Sequence, residues 1–550
     1  MPLRALVVGL LVVTSTLRAA DPPAPAPIHF TDKPIPFTLD ADQTPQKHAP
    51  EAMVGGVAVF DYDNDGYLDI FFTNGADIRT LKKDSPKYSN RLFHNNGDGT
   101  FTDVTEKARL AGTGYDVGVA IGDYDNDGYK DIFVAGVYRN TLYHNNGDGT
   151  FTDVSEKAGI NRVDKEYGPL WSVGAAWVDV NNDGLLDLFV VNYMKWDIKA
   201  EPRCGFPDDA QYCHPNLYKP TPNQLYINKG NGTFEDVSAE SGIRAHPGKG
   251  MGVAVLDYDG DGLPDIFVSN DKLTNSLFHN LGNSKFAEVA FEAGVSLPDQ
   301  GSVISGMGVD ARDLNNDGLP DIALVALDHE TFPIYRNDGR GSFTEITGEM
   351  GMARESNPMS GYSPNLADFD NDGWKDLFVS RGDVQSSALA AHKDINQPNT
   401  VFRNLDGKHW QALTAEAGFG GQLKRHRGSA YGDFNHDGKL DVVVSAIGAP
   451  AEIWMNDSVN DNHWLELALE GTKSNRDGIG AKIKVVAGGF TQYNHVSFAC
   501  GYASSSAGPT HFGLGAAKKA DAIEIRWPSG TVQTLHDVAS DQVVKVKEPK

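Results

Sequence analysis

Asp123-Tyr-Asp-Asn-Asp-Gly-Tyr-Lys-Asp131 is one of seven acidic nonapeptides whose number and spacing decide the fold of this chain. Each has oxygen-bearing side chains at positions 1, 3, 5 and 9, and glycine at position 6. The copies are residues 61–69, 123–131, 179–187, 257–265, 313–321, 368–376 and 433–441. A hard cation such as Ca²⁺ takes about six to eight oxygen ligands, and glycine lets a short loop turn sharply around it. Seven regular copies therefore predict calcium sites rather than seven solvated acidic turns.

The sequence around these loops argues against the EF-hand. An EF-hand needs a glutamate at position 12 of its loop and a helix on each side. Here position 12 is apolar in every copy, and the residues before and after the first loop, 57–60 and 69–72, have the pattern of strands. Pro264 and Pro320 stand inside two loops, where they would not suit entry into a helix. Each loop is therefore predicted to join two strands of a β-hairpin.

A second hairpin signal follows each of the first six acidic loops. Leu92-Phe-His-Asn-Asn-Gly-Asp-Gly-Thr-Phe-Thr-Asp-Val104 is nearly repeated at 142–154, and weaker copies stand at 225–237, 277–289, 334–346 and 401–413. The Asn-Gly and Asp-Gly pairs favour tight turns, so we interpret these segments as plain hairpins. Four short strands per unit, repeated seven times, predict an all-β fold that begins with a seven-bladed β-propeller.

The propeller is predicted to span residues 29–457. Blade seven lacks a fourth strand at its C-terminal end, and an open sheet edge is a liability. Phe30-Thr-Asp32 matches the start of the outer-strand motif Phe101-Thr-Asp103, so we expect residues 29–39 to close the ring. The long spacing between loops three and four marks a proline-rich insertion at 193–222 in blade three. This insertion is interpreted either as a binding loop or as a cap on the propeller.

The cysteines indicate one disulfide. Cys204 and Cys213 stand nine residues apart within the insertion, and an exported chain permits disulfides, so a bridge is favoured over two free thiols. Cys500 is left over on a strand-like pattern and is interpreted as a small buried residue.

Charge and the N-terminal sequence define the expected compartment. The net charge of the 550-residue chain is −26, which argues against nucleic acid or anionic lipid as a partner. The acidic loops alone hold 25 carboxylates, so most of this charge is attributable to metal sites. Residues 1–20 have the pattern of a signal peptide cleaved near Ala20, and residues 21–28 that of a Pro-rich linker. The mature chain is expected to be secreted or periplasmic, without a transmembrane segment.

Residues 461–550 lack the acidic loops and contain alternating segments such as Trp464–Leu469 and Ala522–Trp527. This alternation predicts a small β-sandwich-like module after the propeller.

Both parts of the chain resemble known families. The acidic loops resemble the FG-GAP/VCBS repeats of integrin α-subunit propellers, in which Ca²⁺ is bound by side chains at positions 1, 3, 5 and 9 and a carbonyl at position 7. The C-terminal module resembles the ASPIC/UnbV domain through Asn475-Arg-Asp-Gly-Ile-Gly-Ala481, Gly501-Tyr-Ala-Ser-Ser505, His511-Phe-Gly-Leu-Gly515 and Trp527-Pro-Ser-Gly530. This layout is similar to that of the cartilage acidic protein family, whose propellers are regarded as extracellular interaction modules.

The resemblance implies up to seven Ca²⁺ ions. Their expected ligands are Asp61, Asp63, Asp65, Tyr67, Asp69; Asp123, Asp125, Asp127, Tyr129, Asp131; Asp179, Asn181, Asp183, Leu185, Asp187; Asp257, Asp259, Asp261, Leu263, Asp265; Asp313, Asn315, Asp317, Leu319, Asp321; Asp368, Asp370, Asp372, Trp374, Asp376; and Asp433, Asn435, Asp437, Lys439, Asp441. Three loops have asparagine at position 3, which carries less charge, so those sites are expected to be weaker.

Two functions remain open from the sequence. The first is an exported calcium-binding module that binds a glycan or an extracellular protein. The alternative is a calcium-containing propeller enzyme of lyase or dehydratase type acting on polysaccharide, although no familiar catalytic motif is present. Such an enzyme would need side chains converging at one mouth of the channel, for which the candidates are Tyr115, Trp171, Lys249, Tyr362, Arg425 and Arg427. These six could equally be ordinary rim residues, and no residue is assigned a catalytic role.

Overall fold

The structure, a computed structural model, describes residues 28–161, 163–206, 208–384 and 394–550. The signal peptide predicted for residues 1–20 and nearly all of the linker lie outside these ranges. Within the described ranges the chain is almost entirely β-structure, as the alternating sequence pattern predicts.

Seven antiparallel sheets, each built around one acidic loop, form the propeller. Blade 1 contains Val57–Phe60, Asp69–Phe72, Arg91–Asn95 and Phe101–Asp103; blade 2 contains Asp116–Gly122, Asp131–Gly136, Thr141–Asn145 and Phe151–Asp153. Blade 3 contains Ser172–Val178, Asp187–Asn192, Gln224–Asn228 and Phe234–Asp236; blade 4 contains Gly250–Leu256, Asp265–Asn270, Ser276–Asn280 and Phe286–Glu288. Blade 5 contains Val309–Arg312, Asp321–Leu324, Ile334–Asn337 and Phe343–Glu345; blade 6 contains Ser363–Ala367, Asp376–Ser380, Thr400–Asn404 and Trp410–Leu413. Blade 7 contains His426–Gly432, Asp441–Ala446, Pro450–Asn456 and Phe30–Thr38.

Each blade runs from an inner strand to an outer strand, and the acidic loop joins the inner strand to the second strand. The outer strand of blade 7 is the N-terminal Phe30–Thr38, which pairs antiparallel with Pro450–Asn456 and so joins the two ends of the propeller sequence. Phe30, Ile35 and Phe37 of this strand are buried. Their burial adds apolar contact to the backbone pairing, which makes this strand part of the core rather than an ornament on it.

Helices are short and peripheral. The α-helices described are single turns at Thr105–Ala108, Ser155–Ala158, Ala290–Ala293 and Met352–Ser356. Turns of 3₁₀-helix occur at Ala49–Ala52, Pro86–Tyr88, Pro215–Leu217, Ile243–Ala245 and Phe419–Gly421. The insertion of blade 3 contains its own small hairpin, Cys204–Phe206 paired with Asp209–Gln211, and Cys204 and Cys213 form the predicted disulfide.

The C-terminal domain is built from two sheets. The first contains Thr510–Gly515, His463–Glu470 and Val543–Lys547; the second contains Phe490–His495, Lys482–Ala487, Lys519–Arg526 and Val532–Ala539. Apolar side chains from both sheets, including Leu465, Phe512, Ile483 and Ile523, share one buried cluster. The two sheets therefore enclose a common core, as expected for a sandwich-like module.

A hairpin of the C-terminal domain enters the propeller channel, which joins the two domains more closely than the sequence indicates. Ala499–Cys500 pairs with Ser504–Ser506, and Ser505 and Ser506 pair in parallel with Ala58 and Val59 of the inner strand of blade 1. We call residues 499–506 the channel hairpin. It contacts inner strands of all seven blades, and hydrogen bonds reach five of them. The unpaired Cys500 lies buried here, as predicted.

Candidate calcium loops and the two ends of the channel

Backbone amides hold the carboxylates of each acidic loop in place. In loop 1 the Gly66 amide donates to Asp61 at 2.9 Å, and the Tyr67 amide donates to Asp65 at 2.8 Å. The amide of the residue at position 2 likewise donates to the aspartate at position 9. All three bonds recur in the other six loops. Carboxylates at positions 1, 5 and 9 are therefore fixed by the loop itself.

An asparagine at the end of each third strand ties the loop to the neighbouring blade. The Asn95 amide donates to Asp69 at 2.8 Å, and its side chain donates to the carbonyls of Leu68 at 3.2 Å and Phe434 of blade 7 at 2.9 Å. We call it the clamp asparagine. Its equivalents, which make the same three bonds, are Asn145, Asn228, Asn280, Asn337, Asn404 and Asn456.

The clamp asparagine was missed by the sequence analysis. Its signal was present, because asparagine recurs at the fourth position of motifs such as Leu92-Phe-His-Asn95. The recurrence was attributed to a turn, whereas the side chain actually bridges two blades.

Burial raises the pKa of carboxyls in these loops, and close negative neighbours raise it further. The pKa of Asp69 is raised to about 9 and that of Asp123 to about 8, in both cases mainly by desolvation. Ionised carboxylates at these positions are costly unless a cation compensates them. Oxygens of Asp61, Asp63 and Asp65 lie within 4.8 Å of one another, close enough to share one ion.

Orphaned oxygen atoms show that these residues fit Ca²⁺. Asp63 Oδ1 and Asp370 Oδ1 are buried and have no hydrogen-bond partner. The Asp370 side chain is 3% exposed, so water does not solvate it freely. Buried polar atoms normally have a partner, and a carboxylate oxygen without one suits a hard cation.

The C-terminal domain covers part of the propeller face that carries the loops. Asp477 accepts hydrogen bonds from the Asp123 amide at 2.7 Å and from Lys130 Nζ at 2.5 Å, while the Arg476 amide donates to Asn126 at 2.7 Å. Further contacts reach loops 4, 6 and 7. A cavity of about 340 Å³ remains between this domain and loops 3 to 5. The loop face is therefore also an interdomain contact.

Two irregular segments, residues 40–56 and the insertion 193–222, close the opposite end of the channel. His48 Nδ1 lies 2.6 Å from Glu201 Oε2, and Gln43 Nε2 donates to the Tyr212 hydroxyl at 3.0 Å. The two segments are thus joined to each other across the channel mouth.

This closure accounts for the six candidate mouth residues. Tyr115, Trp171, Lys249, Tyr362 and Arg427 are buried, and Arg425 is half-buried. Tyr115 donates to the Ala41 carbonyl at 2.8 Å, Arg427 Nε to the Ala52 carbonyl at 2.9 Å, and Lys249 to the Pro215 carbonyl at 2.8 Å. These side chains lie at one end of the channel, as expected, but hold the closing segments in place.

A cavity of about 180 Å³ remains at this end, and Tyr362 is the one candidate that lines it. The hydroxyl of Tyr362 and Oδ1 of the buried Asp271 have no hydrogen-bond partner. Burial raises the pKa of Asp271 to about 6. Nearby, the disulfide-tied insertion exposes Phe206 and Leu217, which are 60% and 59% accessible.

The seven blades and their hairpin loops define a β-propeller with acidic, cation-compatible loops. Residues 61–134, 123–190, 217–268, 257–324 and 313–379 match the FG-GAP-like repeat family and together cover more than half of the chain. Residues 471–550 match the family described as ASPIC and UnbV. The chain belongs to the FG-GAP-like repeat family and carries an ASPIC and UnbV domain, as its motifs predicted.

Curated relatives share this layout over nearly the whole chain. Cartilage acidic protein 1 of mouse is 26% identical over 98% of this chain and 78% of its own length. The human protein of the same name is also 26% identical, over 99% of this chain and 77% of its own length. Among solved structures, an Agrocybe aegerita lectin that recognises non-reducing terminal N-acetylglucosamine has 17% identity and a TM-score of 0.40. That match covers 67% of this chain and 81% of the lectin.

Within the described residues, no helix has the length and apolar character needed to cross a membrane.

Proposed function

We propose that this protein is an exported calcium-binding β-propeller that acts as an extracellular interaction module. The observation that carries the proposal is the set of buried, unpartnered carboxylate oxygens in acidic loops whose other atoms are already held by hydrogen bonds. Such loops are prepared for a cation before it arrives. Calcium would then be structural, since it compensates the charge of the face on which the C-terminal domain rests.

The ligand surface is proposed at the opposite end, on the disulfide-tied insertion. Phe206 and Leu217 are large apolar side chains exposed on a segment held by a disulfide and by contacts with residues 40–56. Rigid loops on a stable scaffold are common sites of binding, and exposed aromatic side chains suit either a glycan or a protein surface. The polysaccharide enzyme is not advanced, because the residues proposed for it are engaged in closing the channel.

Calcium binding is tested by calorimetry and by counting bound ions. If a site binds at about 10⁻⁴ M and free Ca²⁺ is about 1 mM, each site contributes about 1.4 kcal/mol of stability. Seven such sites would contribute on the order of 10 kcal/mol, comparable to the net stability of a domain. Chelation should lower the melting temperature by many degrees, and Mg²⁺ should restore it poorly because it demands tighter octahedral geometry. Coincident melting curves with and without chelator would refute calcium binding.

Ligand binding is tested by screening the mature protein against glycan and extracellular-protein arrays, with and without Ca²⁺. Phe206→Ser and Leu217→Ser should abolish the strongest hit. The matched control is Leu281→Ser, which removes a side chain of similar exposure (58%) from a turn of blade 4. A hit that survives both insertion variants would place the ligand elsewhere.

A further inference from the structure

The seven acidic loops fall into two groups according to the residue at position 3. Loops 3, 5 and 7 have asparagine there, namely Asn181, Asn315 and Asn435. Loops 1, 2, 4 and 6 have aspartate, namely Asp63, Asp125, Asp259 and Asp370. The second group has one more carboxylate to orient and to compensate.

Position 3 correlates with the residue that immediately precedes the clamp asparagine. In the aspartate loops this residue is basic: His94, His144, His279 and Arg403. In the asparagine loops it is Ile227, Arg336 or Met455. Arg336 does not contradict the pattern, because its guanidinium bonds to the turn residue Asp338 at 2.8 and 3.0 Å.

The basic residue reaches the outer oxygens of the loop carboxylates. Arg403 Nε donates to Asp370 Oδ2 at 2.6 Å, and its Nη2 donates to Asp372 Oδ2 at 3.1 Å. Asp370 Oδ1, on the same carboxylate, is the buried oxygen without a partner. Loop 1 has the same arrangement, with His94 Nδ1 at 3.6 Å from Asp63 Oδ2 while Asp63 Oδ1 has no partner.

The asparagine loops hold the same outer oxygen from within. The side-chain amide of Asn315 donates to Asp317 Oδ2 at 2.9 Å, and the amide of Asn181 donates to Asp183 Oδ2 at 3.0 Å. Asn435 does the same at 3.2 Å. Position 5 is therefore braced by position 3 in one group, and by a side chain of the third strand in loop 6 of the other.

We propose that Arg403 is a positioning residue of the calcium site in loop 6, and that it replaces the internal brace which asparagine supplies in loops 3, 5 and 7. The inference rests on the proposed calcium binding and deepens it. Arg403 holds the outer oxygens of Asp370 and Asp372 so that the inner oxygen of Asp370 faces the ion. Its single positive charge also brings the four carboxylates of loop 6 to the net charge of a three-carboxylate loop. Residues that orient metal ligands typically change affinity about 10- to 100-fold when removed.

Loop 6 can be observed separately, because it alone has tryptophan at position 7. Tb³⁺, a hard cation that substitutes for Ca²⁺, should luminesce when Trp374 is excited, and Trp374→Phe identifies the part of the signal that belongs to loop 6. Arg403→Met introduces the residue that blade 7 has at this position. It should weaken Tb³⁺ binding at loop 6, and Ca²⁺ competition there, about tenfold or more.

Two further variants separate positioning from general damage. Adding Asp370→Asn to Arg403→Met recreates the native pair of blade 7, Asn435 with Met455, and should restore most of the affinity. Arg336→Met changes the same strand position in blade 5 and should leave the loop 6 signal unchanged. The melting temperature of each variant, measured with saturating Ca²⁺, checks that the propeller is folded.

Three results would overturn the inference. Tighter binding by Arg403→Met would mean that the guanidinium competes with the ion, and unchanged binding would mean that it does not position the ligands. A wild-type loop 6 that takes no Tb³⁺ while other loops bind Ca²⁺ would refute this inference alone. Failure of every loop to bind Ca²⁺ would refute the proposed function as well.

Discussion

At the end of the propeller that carries the acidic loops, the same hydrogen bonds recur blade after blade, whereas the other end is closed by segments that occur once. The repeated end depends on the clamp asparagines and on position 4, where Asn64 reaches the Gly128 carbonyl at 3.0 Å in the next loop. The single-copy end depends on contacts such as that between His48 and Glu201. Damage at the repeated end is therefore shared among seven equivalent loops, while damage at the single-copy end affects one contact.

Deletion of residues 21–40 is expected to have the largest effect, because it removes the strand that joins both chain ends of the propeller. The deleted strand buries Phe30, Ile35 and Phe37, and Leu39 follows it. At about 1.5–3 kcal/mol for each buried side chain, the loss is roughly 6–12 kcal/mol. We expect no cooperative unfolding transition in calorimetry. A melting temperature equal to that of the full mature chain would refute the role of this strand.

Acidification of the calcium-free protein should sharpen the contrast between the two ends. Burial raises the pKa of Asp69 to about 9 and that of Asp131 to about 7, well above the unfolded value of about 3.9. Between the unfolded and folded pKa values the folded state binds more protons, so stability falls as pH rises through this window. Lowering the pH from 8 to 5.5 should therefore stabilise the chelated protein by a few kcal/mol.

The calcium-loaded protein serves as the control for that experiment. Bound ions keep the carboxylates ionised, so the same acidification should not stabilise it and should weaken ion binding instead. Parallel pH profiles with and without Ca²⁺ would mean that the loop carboxylates do not control stability.

Substitution of one clamp asparagine tests whether the repeated bonds connect the blades. Asn228→Ala removes side-chain donors to the carbonyls of Leu186 and Tyr124, which are 3.0 and 2.7 Å away in the structure, and leaves both carbonyls buried. The expected cost is about 2–4 kcal/mol. Asn231→Ala, in an exposed turn of the same blade, should cost less than about 1 kcal/mol. Equal costs in denaturant titrations would show that the clamp contributes nothing special.

Removal of the disulfide should give the smallest change in global stability. Cys204 and Cys213 close a short loop within an insertion that lies outside the blade sheets. Cys204→Ser with Cys213→Ser should leave the main transition within about 2 °C of wild type, since the cross-link constrains only the insertion. Hydrogen exchange should nevertheless accelerate in residues 204–213. A large fall in the main transition would show that the single-copy end supports the whole propeller.

The loop comparison also changes one expectation from the sequence. Asparagine at position 3 was expected to weaken loops 3, 5 and 7 because it removes a charge. In the structure Asn315 braces Asp317 directly, and the third strand of that blade sends Arg336 elsewhere. Whether those loops bind more weakly is therefore a question of brace as well as charge.

Local sequence determined the features that repeat. The seven nonapeptides with glycine at position 6 fix the hairpins, their spacing fixes the number of blades, and the motif of Phe30-Thr-Asp32 indicates the closing strand. Glycine at position 6 has φ of +97° in Gly66, a conformation that other residues rarely adopt, so the signal is written in single residues. The Cys204–Cys213 bridge was predictable for the same reason, since both cysteines stand in one short segment.

Only the tertiary structure decided what fills the channel and what covers its ends. The channel hairpin at 499–506 lies more than 400 residues from the strand of blade 1 with which it pairs. Its serines look like ordinary polar residues in the sequence, and their hydrogen-bond partners come from distant blades. Tyr115 and Arg427 are buried for the same reason, because segments remote in sequence cover them. A repeat repeats its own contacts, but a contact between single-copy segments exists only once the ring has closed.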